Sequence, residues 1–241
     1  MTNHTNYERK QKGLIINDMI DGFLVNGALA DPSSQRIVPS AVKITGEFIN
    51  AGYEIVELKD WHTLDSLEFK THPIHSVAGT KETELIAELK KFAAKIKTFR
   101  KDSTCGLFAP GFIEYIEKME NIVEWVMIGV CSDICDITFL LAFKSYLNQM
   151  KRDVNLVIVK NAVDTFGLPN ARSEEQAIKD INRAAKKAKA ENRAFNVVDV
   201  LRAARYKDEM NEIAFMLLEQ SGIEVVEDYS LARTKKEKER K

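Results

Sequence analysis

Ile122–Val130 (IVEWVMIGV) is the most apolar stretch of the chain, and it runs straight into Cys131-Ser132-Asp133-Ile134-Cys135. A short, nearly unbroken apolar run that stops at a polar turn reads as a strand buried on both faces. The residues after the turn read as helix to about position 150. The same rhythm appears on either side. Upstream, residues 98–101 read as a short strand, followed by a helix around 110–119. Residues 54–58 (EIVEL) form another strand that ends in Asp60, and residues 13–16 (GLII) form one that ends at Asn17-Asp18. Helices fill the gaps. Asp31-Pro32-Ser33-Ser34 signals a helix start, Ile37, Ala41, Ile44 and Phe48 follow at helical spacing, and Gly52 closes the run. Leu85, Leu89, Phe92 and Ile96 mark a further amphipathic helix. Downstream come a strand at 154–159 (VNLVIV), a helix at 209–220 and a last strand at 223–226 (IEVV). Strands alternating with helices imply right-handed βαβ units. The expected fold is α/β: three layers, α/β/α, around a mostly parallel, Rossmann-like sheet of about six strands.

Composition narrows the function class. Of 241 residues, 45% are hydrophobic and 29% charged, and the formal net charge is −1. That balance gives no electrostatic reason for nucleic acid or membrane as a partner. Three cysteines suggest reduced thiols rather than a disulfide framework. The low cysteine count makes a cytoplasmic setting the expectation, and the first 13 residues are polar and carry no apolar signal core. No run approaches the roughly 18–20 apolar residues of a membrane span. Residues 1–232 read as a single domain. Within it, 172–207 stands apart as a helical insertion with ten basic and five acidic residues, a lid, an oligomer contact or a solvated excursion. Residues 233–241 read as a frayed charged tail.

Function gathers at the C-terminal ends of strands in such sheets. Asp18, Asp60, Lys101 and Cys131 to Cys135 all fall there. Any one of them could simply be where polar residues resume; four together suit a composite active site. Cys135, at the start of a helix, has a setting that favours a thiolate and offers backbone N–H groups to an oxyanion. No histidine is placed to serve it as base. A Cys–Asp–Lys arrangement fills that gap, with the lysine favouring thiolate and the aspartate carrying the proton. Three of the four histidines, His62, His72 and His75, lie in one loop. Asp60-Trp61-His62 delivers two ligands on one side of an extended chain. With Glu68 and His75 they suit Zn²⁺, Mn²⁺ or Fe²⁺ better than Ca²⁺. Spacing leaves Asp65 and His72 as further candidates.

These motifs resemble the isochorismatase-like cysteine hydrolases, and among them the nicotinamidase/pyrazinamidase group. The resemblance rests on Asn17-Asp18-Met19 with Phe23, on Asp60-Trp61-His62, and on His72-Pro73-Ile74-His75-Ser76-Val77-Ala78-Gly79-Thr80. Lys101-Asp102-Ser103-Thr104-Cys105-Gly106 and Gly129-Val130-Cys131-Ser132-Asp133-Ile134-Cys135 complete it. It implies a triad of Asp18, Lys101 and Cys135, and an oxyanion hole from the backbone N–H groups of Cys131 and Cys135. It implies a cis bond between Val130 and Cys131, a metal set of Asp60, His62, Glu68 and His75, and Phe23 as a wall for the substrate ring. One divalent ion, Zn²⁺ first with Mn²⁺ and Fe²⁺ as alternatives, would hold the pyridine nitrogen of nicotinamide. The implied activity is hydrolysis of nicotinamide to nicotinate and ammonia, a step of pyridine nucleotide salvage, by an enzyme that could form homo-oligomers. The chain departs from the group's common pattern at Ile20, Asp21, His72 and Thr104-Cys105-Gly106, which bears on substrate fit more than on the catalytic step. Two other readings are a metal-independent hydrolase of another amide or a vinyl ether on this fold, and a non-catalytic binding protein.

Overall fold

The computed structural model describes residues 11–167, 174–192, 195 and 207–232. Its strands are β1 (Gln11–Asn17), β2 (Glu54–Asp60), β3 (Lys97–Lys101), β4 (Ile122–Val130), β5 (Asn155–Asp164) and β6 (Glu224–Val226). They form one sheet in the order β3-β2-β1-β4-β5-β6, and every neighbouring pair is parallel. The helices are α1 (Asp21–Leu24), α2 (Val38–Ala51), α3 (Ala87–Lys90), α4 (Phe112–Glu117), α5 (Ile137–Gln149), α6 (Glu174–Ala190) and α7 (Lys207–Gln220).

Alternation along each strand sends side chains to two separate cores. Leu14 and Ile16 face a core shared with Ile44 and Phe48 of α2 and Leu89 of α3. Ile15 faces the opposite core, shared with Phe112 of α4, Phe139 and Phe143 of α5, and Phe215 of α7. These two packed faces make the three layers. Gly52 ends α2 as anticipated, with a left-handed φ of 67° that lets its N–H reach back to Ile49 O and Phe48 O.

The strand order reverses direction between β1 and β4, which opens a crevice at their C-terminal ends. Gly129 lets those ends approach. Its φ is +137°, and a Cβ there would sit 1.9 Å from the Asn17 carbonyl oxygen. Only glycine fits.

Two elements differ from expectation. The spacing of Leu85, Leu89, Phe92 and Ile96 suggests one helix, yet only α3 and a 3-10 turn at Ala93–Lys95 form. The chain is held elsewhere: Leu85 bridges Ile20, Ile86 N–H donates to Met19 O at 3.0 Å, and β3 begins at Lys97. Tertiary pairing overrides the helical period here. β5 also runs five residues past the expected 159, to Asp164, with an irregular register against β4. Of the basic stretch at 172–207, α6 and the first residue of α7 are regular structure among the described residues. Asp31 ties together the two described ends that flank this stretch: its Oδ2 accepts from Gly167 N–H at 3.2 Å and from Lys207 Nζ at 3.3 Å. The tail at 233–241 lies outside the described residues. No helix among those described is long and apolar enough to cross a membrane.

Candidate active site

Four strand ends and one loop build the site. β1 delivers Asp18, β2 delivers Asp60, β3 delivers Lys101, and β4 runs into the turn carrying Cys131 and Cys135. Asp18 has a left-handed φ of 50°, a conformation that Asp tolerates better than most residues. Its Oδ1 accepts from the Asp60 N–H at 2.8 Å, and its Oδ2 lies 2.8 Å from Lys101 Nζ. Lys101 also donates a short hydrogen bond to Asp60 Oδ1. One fully buried ammonium thus joins two fully buried carboxylates.

The electrostatics follow from that burial. Burial raises Asp18 to about 7, and the Asp60 charge adds to the rise while Lys101 opposes it. Asp60 goes the other way: burial opposes ionisation, but Lys101, His62 and His75 outweigh it and hold the carboxyl well below its usual range. Cys135 is buried within electrostatic reach of all three groups. Burial is the largest influence on its thiol and raises it, Lys101 pulls it down, and Asp18 and Asp60 push it further up. Lys101 therefore does not by itself make a resting thiolate. Asp18, raised toward neutrality, has the pKa range that suits a group exchanging protons at that pH.

The turn after β4 departs from the simple helix start anticipated. The Val130–Cys131 peptide bond is cis, as the resemblance implies; the departure is that Ser132–Asp136 forms a single π-helical turn, with Asp136 N–H donating to Cys131 O at 3.0 Å. α5 begins only at Ile137. From the far side the turn is held by Ser132, whose hydroxyl donates to Asn211 of α7. Asn211 in turn donates to Asp164 Oδ1 at 2.9 Å.

Asp60 Oδ2 faces the histidine loop. It lies 3.3 Å from His62 Nε2 and 3.5 Å from His75 Nε2. The facing atoms of these three buried residues all lie within 4.8 Å of one another, the spacing of a cation's ligands. The other ring nitrogens are spoken for: His62 Nδ1 is 2.7 Å from Asp102 Oδ1, and His75 Nδ1 is 2.8 Å from Pro73 O. That fixes both rings with Nε2 turned inward, as metal-bound imidazoles require. His62 Nε2 is buried without a hydrogen-bond partner, which a cation would satisfy. Burial disfavours the imidazolium of His62, but Asp60, Asp102 and Glu68 lift its pKa to about 9. The residues present therefore fit a divalent transition ion.

The other sequence candidates fall around this cluster. Glu68 Oε2 is 3.9 Å from His62 Nε2, beside the three-residue cluster rather than within it. His72 stacks edgewise near His75, with ring centroids 6.2 Å apart, and shares the cleft with Glu68. Asp65 is exposed. Phe23 meets His75 edge-on at 5.7 Å and lines a narrow cleft with Glu68, Ile134, Cys135 and Phe166. Sequence reasoning gave no role to Asp102 or Asn211. Its place beside Lys101 is the only signal Asp102 carries in the sequence; Asn211 sits in an ordinary helical pattern and carries none.

Comparison with known proteins places the chain in a family and a fold. A family model described as the isochorismatase domain matches residues 12–192. Nicotinamidase 1 of Arabidopsis thaliana is 26% identical over 174 residues, covering 65% of this chain and 70% of that protein. Among solved structures, the pyrazinamidase/nicotinamidase of Streptococcus mutans UA159 superposes with a TM-score of 0.65 at 16% identity, over 89% of this chain and 99% of that one. The N-carbamoylsarcosine amidase of Thermoplasma acidophilum gives 0.62 at 19% identity, over 92% and 99%. The pyrazinamidase of Pyrococcus horikoshii, solved in complex with zinc, gives 0.59 at 18%, over 90% and 99%. At these identities the structures establish a shared fold.

Proposed function

Because the chain belongs to the isochorismatase family, we propose that it is a metal-dependent amidohydrolase that converts nicotinamide to nicotinate and ammonia through a thioester on Cys135. The observation that carries this reading is the double engagement of Asp60. One of its oxygens binds Lys101 beside Asp18, and the other faces His62 and His75. Asp60 and His75 thus line the same cleft as Cys135, with Asp18 and Lys101 buried behind Asp60. The curated relative named a nicotinamidase, and the relative solved with zinc, favour this substrate and ion.

A Zn²⁺ ion (with Mn²⁺ or Fe²⁺ as alternatives) held by Asp60, His62 and His75, with Glu68 as a further oxygen donor, would supply an electrophilic anchor for a ring nitrogen. The chain's own residues perform the rest. Phe23 and Phe166 wall the cleft against a planar ring and exclude water. Asp18 takes the Cys135 proton as the sulfur attacks the amide carbon. The backbone N–H groups of Cys131 and Cys135 receive the oxyanion. Asp18 returns the proton to nitrogen, ammonia leaves, and the C–N bond is replaced by a C–S bond. Asp18 then draws a proton from water, whose oxygen attacks the thioester, and nicotinate departs with the thiol restored. Lys101 keeps Asp18 aimed and offsets the charge of the paired carboxylates. The same reading takes residues 1–232 as one hydrolase domain with an insertion at 172–207, working in the cytoplasm.

Ammonia release from nicotinamide, with and without a chelator, tests this. The expected result is turnover that the chelator abolishes and added Zn²⁺ restores. Undiminished turnover after metal is stripped would favour a metal-independent hydrolase, and no turnover in the metal-loaded protein would remove nicotinamide as substrate.

A further inference from the structure

Two polar side chains that belong to neither the triad nor the cation cluster meet beneath the nucleophile turn. Asn17 precedes Asp18, Asp136 follows Cys135, and both are fully buried. The Asn17 amide donates to both ends of that turn: to Val130 O at 3.0 Å and to Asp136 Oδ1 at 2.8 Å. One side chain on β1 therefore grips the start and the finish of the segment that carries Cys131 and Cys135. Two oxygens of the pair, Asn17 Oδ1 and Asp136 Oδ2, are buried with no donor. A buried acceptor left without a donor is costly, because it gives up its hydrogen bonds to water for nothing. A carboxylic acid O–H on Asp136 is the donor this pocket lacks, and Asn17 Oδ1 is an acceptor on its bonded partner.

Stability alone does not call for such a pair. Two apolar side chains of the same shape would fill this core and give up little beyond the Asn17 bond to Val130 O. We propose that Asn17 and the carboxylic acid of Asp136 form a clamp that holds the Cys131–Cys135 turn in register with Asp18, and that both are positioning residues for attack by Cys135. This rests on Cys135 being the nucleophile. The surroundings agree with a neutral Asp136. Burial raises its carboxyl to about 8, Asn17 and Lys101 oppose the rise, and Asp18 and Asp133 add to it.

The test compares Asp136→Asn with the apolar pair Asn17→Leu/Asp136→Leu in the full-length, metal-loaded protein. An amide at 136 offers the same donor and acceptor as a carboxylic acid, so Asp136→Asn should keep kcat for nicotinamide and the rate at which iodoacetamide alkylates Cys135. The double leucine variant should stay folded with only a small fall in melting temperature and keep its KM, yet lose about tenfold or more in kcat, since small misplacements of a reacting group cost that much. Its Cys135 alkylation, located by peptide mass spectrometry, should slow in step. Wild-type kcat and alkylation in the double variant would overturn the clamp, as would an equal loss in Asp136→Asn. If the double variant does not fold, Asp136→Leu against Asp136→Asn decides on alkylation alone. If the parent protein does not hydrolyse nicotinamide but the alkylation pattern holds, the substrate reading falls and the clamp stands; an unchanged alkylation rate across all variants removes the clamp whatever the substrate.

Discussion

Asp60 and Lys101 are the residues on which the site turns. Asp60 shares its two oxygens between an ammonium and two imidazoles, and Lys101 shares its charge between two carboxylates. All of this is buried, so removing one partner leaves the others uncompensated. Lys101→Met would leave Asp18 and Asp60 facing each other out of water. Urea unfolding should show it destabilised by about 3–5 kcal/mol, the usual cost of breaking a buried pair. A variant as stable as the parent would mean that the ion pair is not formed as described. The ligand-type residues were legible because chemistry concentrates where strands end, and Asp18, Asp60, Lys101 and Cys135 each stand there. Partners were not. Nothing in the order of residues says that Asp60 serves Lys101 as well as the histidines, or that Asp102 holds His62, since those contacts are made by separate strands folding side by side.

At the scale of elements, β1 and β4 decide the geometry. Their ends approach because Gly129 has no side chain, and a methyl group there would overlap the Asn17 carbonyl. Gly129→Ala should therefore push the strand ends apart. The expected outcome is a loss of both stability and turnover, with stability reduced by about 3 kcal/mol or more; crystallised variant protein with an unmoved Asn17 would contradict it. The opposite edge of the sheet does separate work. There Glu124 of β4 meets Lys12 of β1 at 2.7 Å, the Tyr229 hydroxyl at 2.7 Å and Asn155 of β5 at 2.9 Å. Burial would raise Glu124, but these donors outweigh it and depress it from 4.5 to about 2. A depressed carboxyl contributes stability above its unfolded pKa and loses it as pH falls toward the folded one. Thermal unfolding between pH 4.5 and 2 should accordingly fall more steeply in the parent than in Glu124→Gln. Parallel curves would show that the contacts are not made. Element identity was readable wherever an apolar run and its period agreed, as in β4. It failed for residues 85–96, where pairing with Met19 and Ile20 set the backbone against its own helical spacing.

The described residues place polar pairing such as that of Glu124 at the N-terminal ends of the strands and the candidate active site at their C-terminal ends. The cation cluster adds a link between ligand and fold, because anything that binds the folded state alone stabilises it by mass action. Metal at about one hundred times its dissociation constant should add about 2.7 kcal/mol. A thermal shift on adding Zn²⁺ is expected in the parent and absent in His62→Ala; equal shifts in both would place the metal elsewhere. The fold class, the parallel sheet and the family were all within reach of the sequence, since they depend on runs and spacings. The irregular turn at Ser132–Asp136 was not, because it depends on how β4 meets β1. The central claim is that Cys135 carries the acyl group. The most direct measurement is rapid acid quench of the metal-loaded protein with nicotinamide, followed by mass spectrometry of the peptide that contains Cys135. A nicotinoyl adduct located on Cys135, and missing from Cys135→Ala, is the result predicted here; turnover with no adduct on that cysteine, or turnover that survives in Cys135→Ala, would contradict it.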